Sequence, residues 1–146
     1  MPKYQDYIYV VLQFVLFIIY FLPVKIVATN VHHWVQFMGL IAAALGALLG
    51  VVALLQLHTK LSPFPTPCAG STLRTTGAYA IARHPVYTSL ASIAFGHAIY
   101  QESIYQMLIA LLLLALFYFK SKYEEQLLEK KFASYQEYKK QTRRFL

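Results

Sequence analysis

The residues able to do chemistry are gathered in one stretch. It runs Thr76-Gly77-Ala78-Tyr79-Ala80-Ile81-Ala82-Arg83-His84-Pro85-Val86-Tyr87. Arg83 and His84 stand just ahead of Pro85, which is placed to be the first residue of a helix. There its missing N–H is one that a helix start leaves unpaired anyway. The backbone N–H groups that follow, from Val86 onward, suit an anion. Gly77 supplies positive φ or close backbone approach, and Tyr79 and Tyr87 supply aromatic faces. The stretch therefore reads as an anion-holding corner lined by rings. The plain alternative is a loop-to-helix junction with a snorkelling Arg and an interfacial Tyr.

A second cluster is the carboxylate pair Glu124-Glu125. The segment from Phe119 to about Gln141 is read as helical, with Leu127, Leu128, Phe132 and Tyr135 as its apolar positions. Glu124 lies one turn before Leu128, so it is the carboxylate expected to look inward. Glu125 falls with Ser121 and Glu129 on the polar face. Together the corner and Glu124 suit a zwitterion with a separate positive centre. Basic residues and a helix start hold its carboxylate, while Glu124 and tyrosine faces hold its cation. S-adenosylmethionine is such a molecule.

These groups are positioned by a membrane protein. The chain has 146 residues, 58% hydrophobic and only 13% charged, where a soluble domain carries nearer a quarter charged residues. The apolar residues come in long runs. Four membrane helices are expected, at 7–27, 34–57, 86–100 and 104–119, within a single all-α domain spanning 1–146. The last two form a short helical hairpin. A run of 15 or so residues spans roughly 22 Å, so these helices tilt or locally thin the bilayer. Pro23 should kink or end the first helix. The second carries Gly39, Ala42, Gly46, Gly50 and Ala53, which let another helix approach closely. A helix of the same chain is the expected partner, and a homodimer through this glycine face is the alternative. Ser89, Ala91, Ser92, Ala94 and Gly96 keep the third helix slim.

Residues 58–85 form a loop broken by Pro63, Pro65 and Pro67, and 120–146 a tail with an amphipathic helix. The net charge is +7, and eight of the 13 Lys and Arg residues lie from Lys120 onward. That distribution places the tail beside anionic lipid rather than nucleic acid. Lys60, Arg74, Arg83 and the tail share one side, Lys25 and Glu102 the other. By the positive-inside rule the N-terminus, the loop and the tail are cytoplasmic, in a cell inner membrane or endoplasmic reticulum. The corner and the Glu pair then share a face. The single cysteine, Cys68, allows no intrachain disulfide. No metal site is expected: His32 and His33 are interfacial, His58 ends the second helix, and His97 makes a packing hydrogen bond.

The pattern Gly77, Tyr79, Arg83, His84, Pro85, Tyr87 resembles the isoprenylcysteine carboxyl methyltransferase family and its phospholipid methyltransferase relatives. A second signature resembles it too: Glu124-Glu125, then Phe132, Tyr135, Tyr138 and Arg144-Phe145. The resemblance covers roughly the C-terminal two thirds. It implies an enzyme that takes S-adenosylmethionine on the cytosolic side and a lipophilic acceptor from the membrane. It assigns donor binding to Gly77, Tyr79, His84, Pro85, Tyr87, Glu124 and Glu125. Arg83 and Glu124 become the catalytic pair, Arg83 holding an acidic acceptor group or the donor carboxylate. The acceptor is a membrane lipid or lipidated molecule: an isoprenylcysteine-like carboxylate, or a lipid amine. Two other readings compete. One is an NADPH-dependent sterol-type reductase, which would want more basic residues than Arg74 and Arg83. The other is a non-catalytic packing or anchoring protein.

Overall fold

The computed structural model describes residues 2–24, 30–57, 62–67 and 69–146. The expectations for Lys25, His58, Lys60 and Cys68 lie outside the described residues. Six helices account for the described chain: α1 (Tyr4–Tyr20), α2 (His33–Leu57), α3 (Ala78–Ile81), α4 (Pro85–Tyr100), α5 (Ile104–Lys131) and α6 (Tyr135–Gln141). No strand occurs among the described residues, only an isolated parallel bridge between Ala82 and Arg143. The fold is therefore all-α, as expected. Two helices, α2 with 25 residues and α5 with 28, are long and apolar enough to cross a membrane, and α1 is a shorter apolar helix.

Several boundaries differ from the sequence reading. The first helix covers 4–20 rather than 7–27; it stops before Pro23, whose ring disfavours helical geometry in the residue before it. Among its described residues, the loop 58–85 holds one helical turn, α3. The hairpin helix does not end at Phe119 but runs unbroken to Lys131. There Phe132 turns extended (φ −123°, ψ 112°) and the chain folds back as α6. The tail is thus two helices, where one was expected.

The helices pack as neighbours in the order α2, α4, α5, α1. On α2, Gly39, Gly46, Gly50 and Ala53 are buried, while Ala42 points outward. A Cβ on Gly39 would fall 2.7 Å from the Gly96 carbonyl oxygen, and one on Gly46 2.6 Å from Ser92 Cβ. Backbones approach this closely only where side chains are absent. The glycine seam is therefore packed against α4 of the same chain. On its other side α4 joins a core of Ala91, Ala94, Ile109, Ala110, Leu113 and Phe117, closed by Tyr20 from α1. Tyr20 Oη donates to Ala94 O at 2.7 Å and lies 3.1 Å from His97 Nδ1, the packing bond expected of that histidine. Large apolar side chains such as Phe14, Ile18, Phe37, Leu45, Leu48 and Leu55 face outward from α1 and α2. An apolar outer surface of that extent suits lipid rather than water.

The α4–α5 hairpin closes through Gln101–Ser103. Glu102 takes φ 52°, and Ser103 caps α5 by accepting from Gln106 N at 3.2 Å. At the opposite end of the pair, the start of α4 and the charged end of α5 come together with α3, α6 and the segment 62–67. That end holds the site.

Candidate functional site

Pro85 occupies the first turn of α4, and His84 is its N-cap. The geometry anticipated for the corner is therefore present. The helix is entered from α3, whose start requires Gly77 at φ 63°, ψ −126°. A Cβ there would lie 1.7 Å from Gln56 Nε2. Gln56, one residue before the end of α2, accepts from Ala78 N at 3.0 Å and so anchors the turn. The other half of the corner comes from the C-terminal segment, which lies alongside it. Arg83 N donates to Arg143 O at 2.8 Å, and His84 N to Arg144 O at 3.1 Å.

The two carboxylates divide their work in a way that corrects the helical-face reading. Glu125, expected on the polar face, is the buried one, with 3% of its side chain exposed. Ser121, on the same line of α5, is buried too. The reason is the fold-back: α6 and the C-terminal segment cover a face that a straight amphipathic helix would leave to water. Glu125 Oε1 accepts from Arg83 Nε at 3.0 Å and Arg144 Nε at 3.1 Å, and Oε2 accepts from Arg144 Nη2 at 2.8 Å. His84 Nε2 lies 3.2 Å from Oε1. Burial alone would push this carboxyl's pKa up. The hydrogen bonds from His84 and Arg144 and the charges of His84 and Arg83 outweigh it and hold Glu125 well below the usual carboxylate range.

Glu124 also faces the site: it lines the cavity, with 26% of its side chain exposed. Tyr87 Oη donates to its Oε2 at 3.0 Å, and His84 Nδ1 lies 3.7 Å away. Both glutamates lie beyond the apolar part of α5, which ends at Phe119. Burial raises the Glu124 pKa, and the neighbouring Glu125 adds to the rise; His84, Tyr87 and Lys120 oppose it without cancelling it. An ionised Glu125 can only accept, so His84 donates to it from Nε2, and the other ring nitrogen, Nδ1, faces Glu124.

Arg83 is heavily engaged. Besides Glu125 it donates Nη1 to Lys139 O at 3.0 Å and to Thr142 O. It fastens the C-terminal segment to the corner.

A cavity of about 250 Å³ opens in front of these groups. Of the residues singled out in the sequence, Tyr79, Arg83, His84 and Glu124 line it. So do Tyr135 and Tyr138. Gly77, Pro85, Tyr87 and Glu125 stand behind the lining, where they shape the turn or hold the lining residues. Tyr87 is stacked between His84 (5.5 Å, 9°) and Phe117 (5.1 Å, 6°). Arg74 lines the polar side; Leu57, Phe64, Leu73, Leu128 and Phe132 supply an apolar one. Burial, and then the charge of Glu124, raise the Tyr79 phenol, so it stays a neutral donor. Its backbone oxygen accepts from Tyr138 Oη at 2.5 Å. Two lining atoms, Tyr135 Oη and Thr66 Oγ1, are buried without a hydrogen-bond partner among the described residues. Such atoms are costly unless something bonds to them.

Sequence reasoning passed over Lys120, Gln13, Gln56 and Thr66. Lys120, Gln13 and Gln56 left a signal: each is a polar residue at or inside an apolar helix, where such residues are rarely idle.

The fold and the site define an all-helical membrane protein with a polar, carboxylate-bearing pocket at one end of its helices. The chain belongs to the phospholipid methyltransferase family, whose sequence model matches residues 34–135. That is a family of methyltransferases, and the matched segment contains the corner and both glutamates. No curated protein matches the chain as a relative.

Proposed function

We propose that the protein transfers a methyl group from S-adenosylmethionine to a lipophilic acceptor at the cytosolic face of a membrane. The observation that carries this reading is the division of labour between the two glutamates. Glu125 is spent on Arg83, His84 and Arg144, while Glu124 is presented to the cavity by Tyr87 and His84. A negative group facing a cavity walled by tyrosines suits a cationic ligand. The unpartnered Tyr135 Oη and Thr66 Oγ1 suit a ligand rich in polar atoms, and Arg74 suits its carboxylate. A dinucleotide phosphate fits less well: Arg74 and Arg83 are the only Lys or Arg residues in the described lining, and Arg83 is already engaged.

When bound, S-adenosylmethionine supplies a methyl on a positively charged sulfur, and transfer leaves a neutral thioether. The remaining work falls to the protein. Tyr79, His84, Glu124, Tyr135 and Tyr138 bind and orient from the lining. Gly77, Pro85, Tyr87 and Glu125 hold them in place. Arg83 fixes Glu125 and the C-terminal segment. The apolar lining excludes water and admits an acyl or prenyl chain. Of the two acceptors, a lipid amine fits better than a carboxylate. An ammonium must lose a proton before its nitrogen can attack, and Glu124, backed by His84, is placed to take it. A carboxylate acceptor would instead want an unengaged guanidinium.

The whole chain acts as one membrane domain in this reading, with α1 and α4 crossing beside α2 and α5. Its N-terminus, residues 58–85 and the tail share the cytoplasmic side. Calorimetric titration of detergent-purified protein with S-adenosylhomocysteine tests the donor site, with NADPH as control. Binding in the micromolar range, weakened by Glu124→Gln, is expected; binding of NADPH alone would overturn the assignment.

A further inference from the structure

Lys120 stands one residue past the apolar run of α5, yet only 1% of its surface is exposed. Its ammonium donates to Gln13 Oε1 of α1 at 2.7 Å and to the Pro63 carbonyl oxygen at 2.9 Å. It also lies 5.3 Å from the centroid of the Tyr87 ring, in cation–π range. Three separate parts of the chain thus meet on one buried charge. Burying an ammonium is costly, and an apolar side chain would pack the same space more cheaply. What the charge adds is direction.

Each contact leads to the cavity. Pro63 begins the segment whose Phe64, Pro65 and Thr66 form one wall of it. Tyr87 holds Glu124 through its hydroxyl. Helix α1 touches the same wall a second time, where the Tyr7 ring meets Phe64 edge-on at 5.1 Å. Gln13 itself is buried, and its amide oxygen receives Lys120. Helix α1 lies outside the segment matched by the family, 34–135.

We propose that Lys120 is a positioning residue for the methyl-transfer site, pinning the proline-rich wall and the Tyr87–Glu124 pair, with α1 as its buttress. This rests on the reading of the cavity as the donor site. Lys120 touches neither donor nor acceptor; it acts through Pro63 and Tyr87.

The test uses full-length protein in detergent, as wild type, Lys120→Met, Lys120→Arg and Gln13→Leu. Two quantities are read: affinity for S-adenosylhomocysteine, and hydrogen exchange of peptides covering 62–74. Thermal unfolding confirms that each variant is folded. Losing hydrogen bonds from a charged group should weaken binding by about tenfold in Lys120→Met, equivalent to ~1.4 kcal/mol. Exchange in 62–74 should quicken, and exchange in the α2–α4 seam should not. Lys120→Arg, which keeps a cation, should recover much of both. Gln13→Leu leaves Lys120 in place and should move both in the same direction but less, which keeps the test open if Lys120→Met fails to fold. Wild-type affinity and exchange in folded Lys120→Met would overturn the proposal. So would equal loss in the Met and Arg variants. If even the wild type binds no S-adenosylhomocysteine, the donor-site reading fails, and exchange in 62–74 alone still decides whether Lys120 pins the wall.

Discussion

Tyr87 Oη donates to Glu124 Oε2 at 3.0 Å across 37 residues of sequence, from the first turn of α4 to the charged end of α5. The bond fixes the one carboxylate of the pair that faces the cavity. Replacing Glu124 by Gln keeps the shape and removes the charge. The expected result is a loss of methyl transfer of roughly 10²–10⁴-fold, the usual contribution of a positioned proton acceptor. Far-UV circular dichroism and thermal unfolding should stay close to wild type. Equal loss of fold and activity would make Glu124 structural.

Glu125→Gln should do the reverse. It leaves Arg83, His84 and Arg144 around a neutral amide in a site where the carboxylate was 3% exposed. Removing one partner of a buried ionic cluster typically costs about 3–5 kcal/mol. Denaturant unfolding should show a clear drop in midpoint, with activity per folded molecule falling as the C-terminal segment loosens.

The acid side of the pH profile separates the two. Glu125 has a folded pKa below its unfolded value of about 4.3. Its stabilisation is therefore present above that unfolded value and lost as pH falls through the folded one. Glu124 has a raised folded pKa, so burying it charged opposes folding above its unfolded value, and protonation relieves that cost. Activity should decline with falling pH at a point above the ordinary carboxylate range, while the fold persists well below it. Rate and circular-dichroism profiles in the same buffers check this. Coincident loss of both would contradict it.

Gly77→Ala meets two obstacles. The φ of 63° with ψ −126° is open to glycine, and the new Cβ would displace Gln56, which holds Ala78 N. A cost of about 1–3 kcal/mol is expected from the backbone strain. Tyr79, two residues on, should move with it. Weaker binding of S-adenosylhomocysteine alongside a lowered unfolding midpoint would agree; an unchanged protein would not.

These predictions rest on features of unequal visibility in the sequence. The corner was legible because its determinants are local: Pro85 can only begin a helix, and Gly77 marks an irregular turn. The glycine seam was legible because small residues repeat on a helix face, although Ala42, at i+3 from Gly39, fell outside it. The orientation of the Glu pair was not legible. Helical periodicity assigns Glu125 to solvent, and only the return of residues 142–146 to Ala82–His84 reverses that. Such a return leaves no periodic trace. The break at Phe132 and the four-residue α3 are likewise too short to carry a pattern. Lys120 was read as the first residue of a basic tail because its partners, Gln13 and Pro63, lie 107 and 57 residues away.

The most direct test of the central claim is transfer itself. Membranes containing the protein would be incubated with S-adenosylmethionine carrying an isotopic methyl label. The lipid extract would then be resolved by mass spectrometry, with Glu124→Gln membranes as control. The account predicts label in an amine-bearing membrane lipid, present with the wild type and all but absent with the variant. Label found equally with both, or no label from folded protein that binds S-adenosylhomocysteine when amine lipids are supplied, would contradict it.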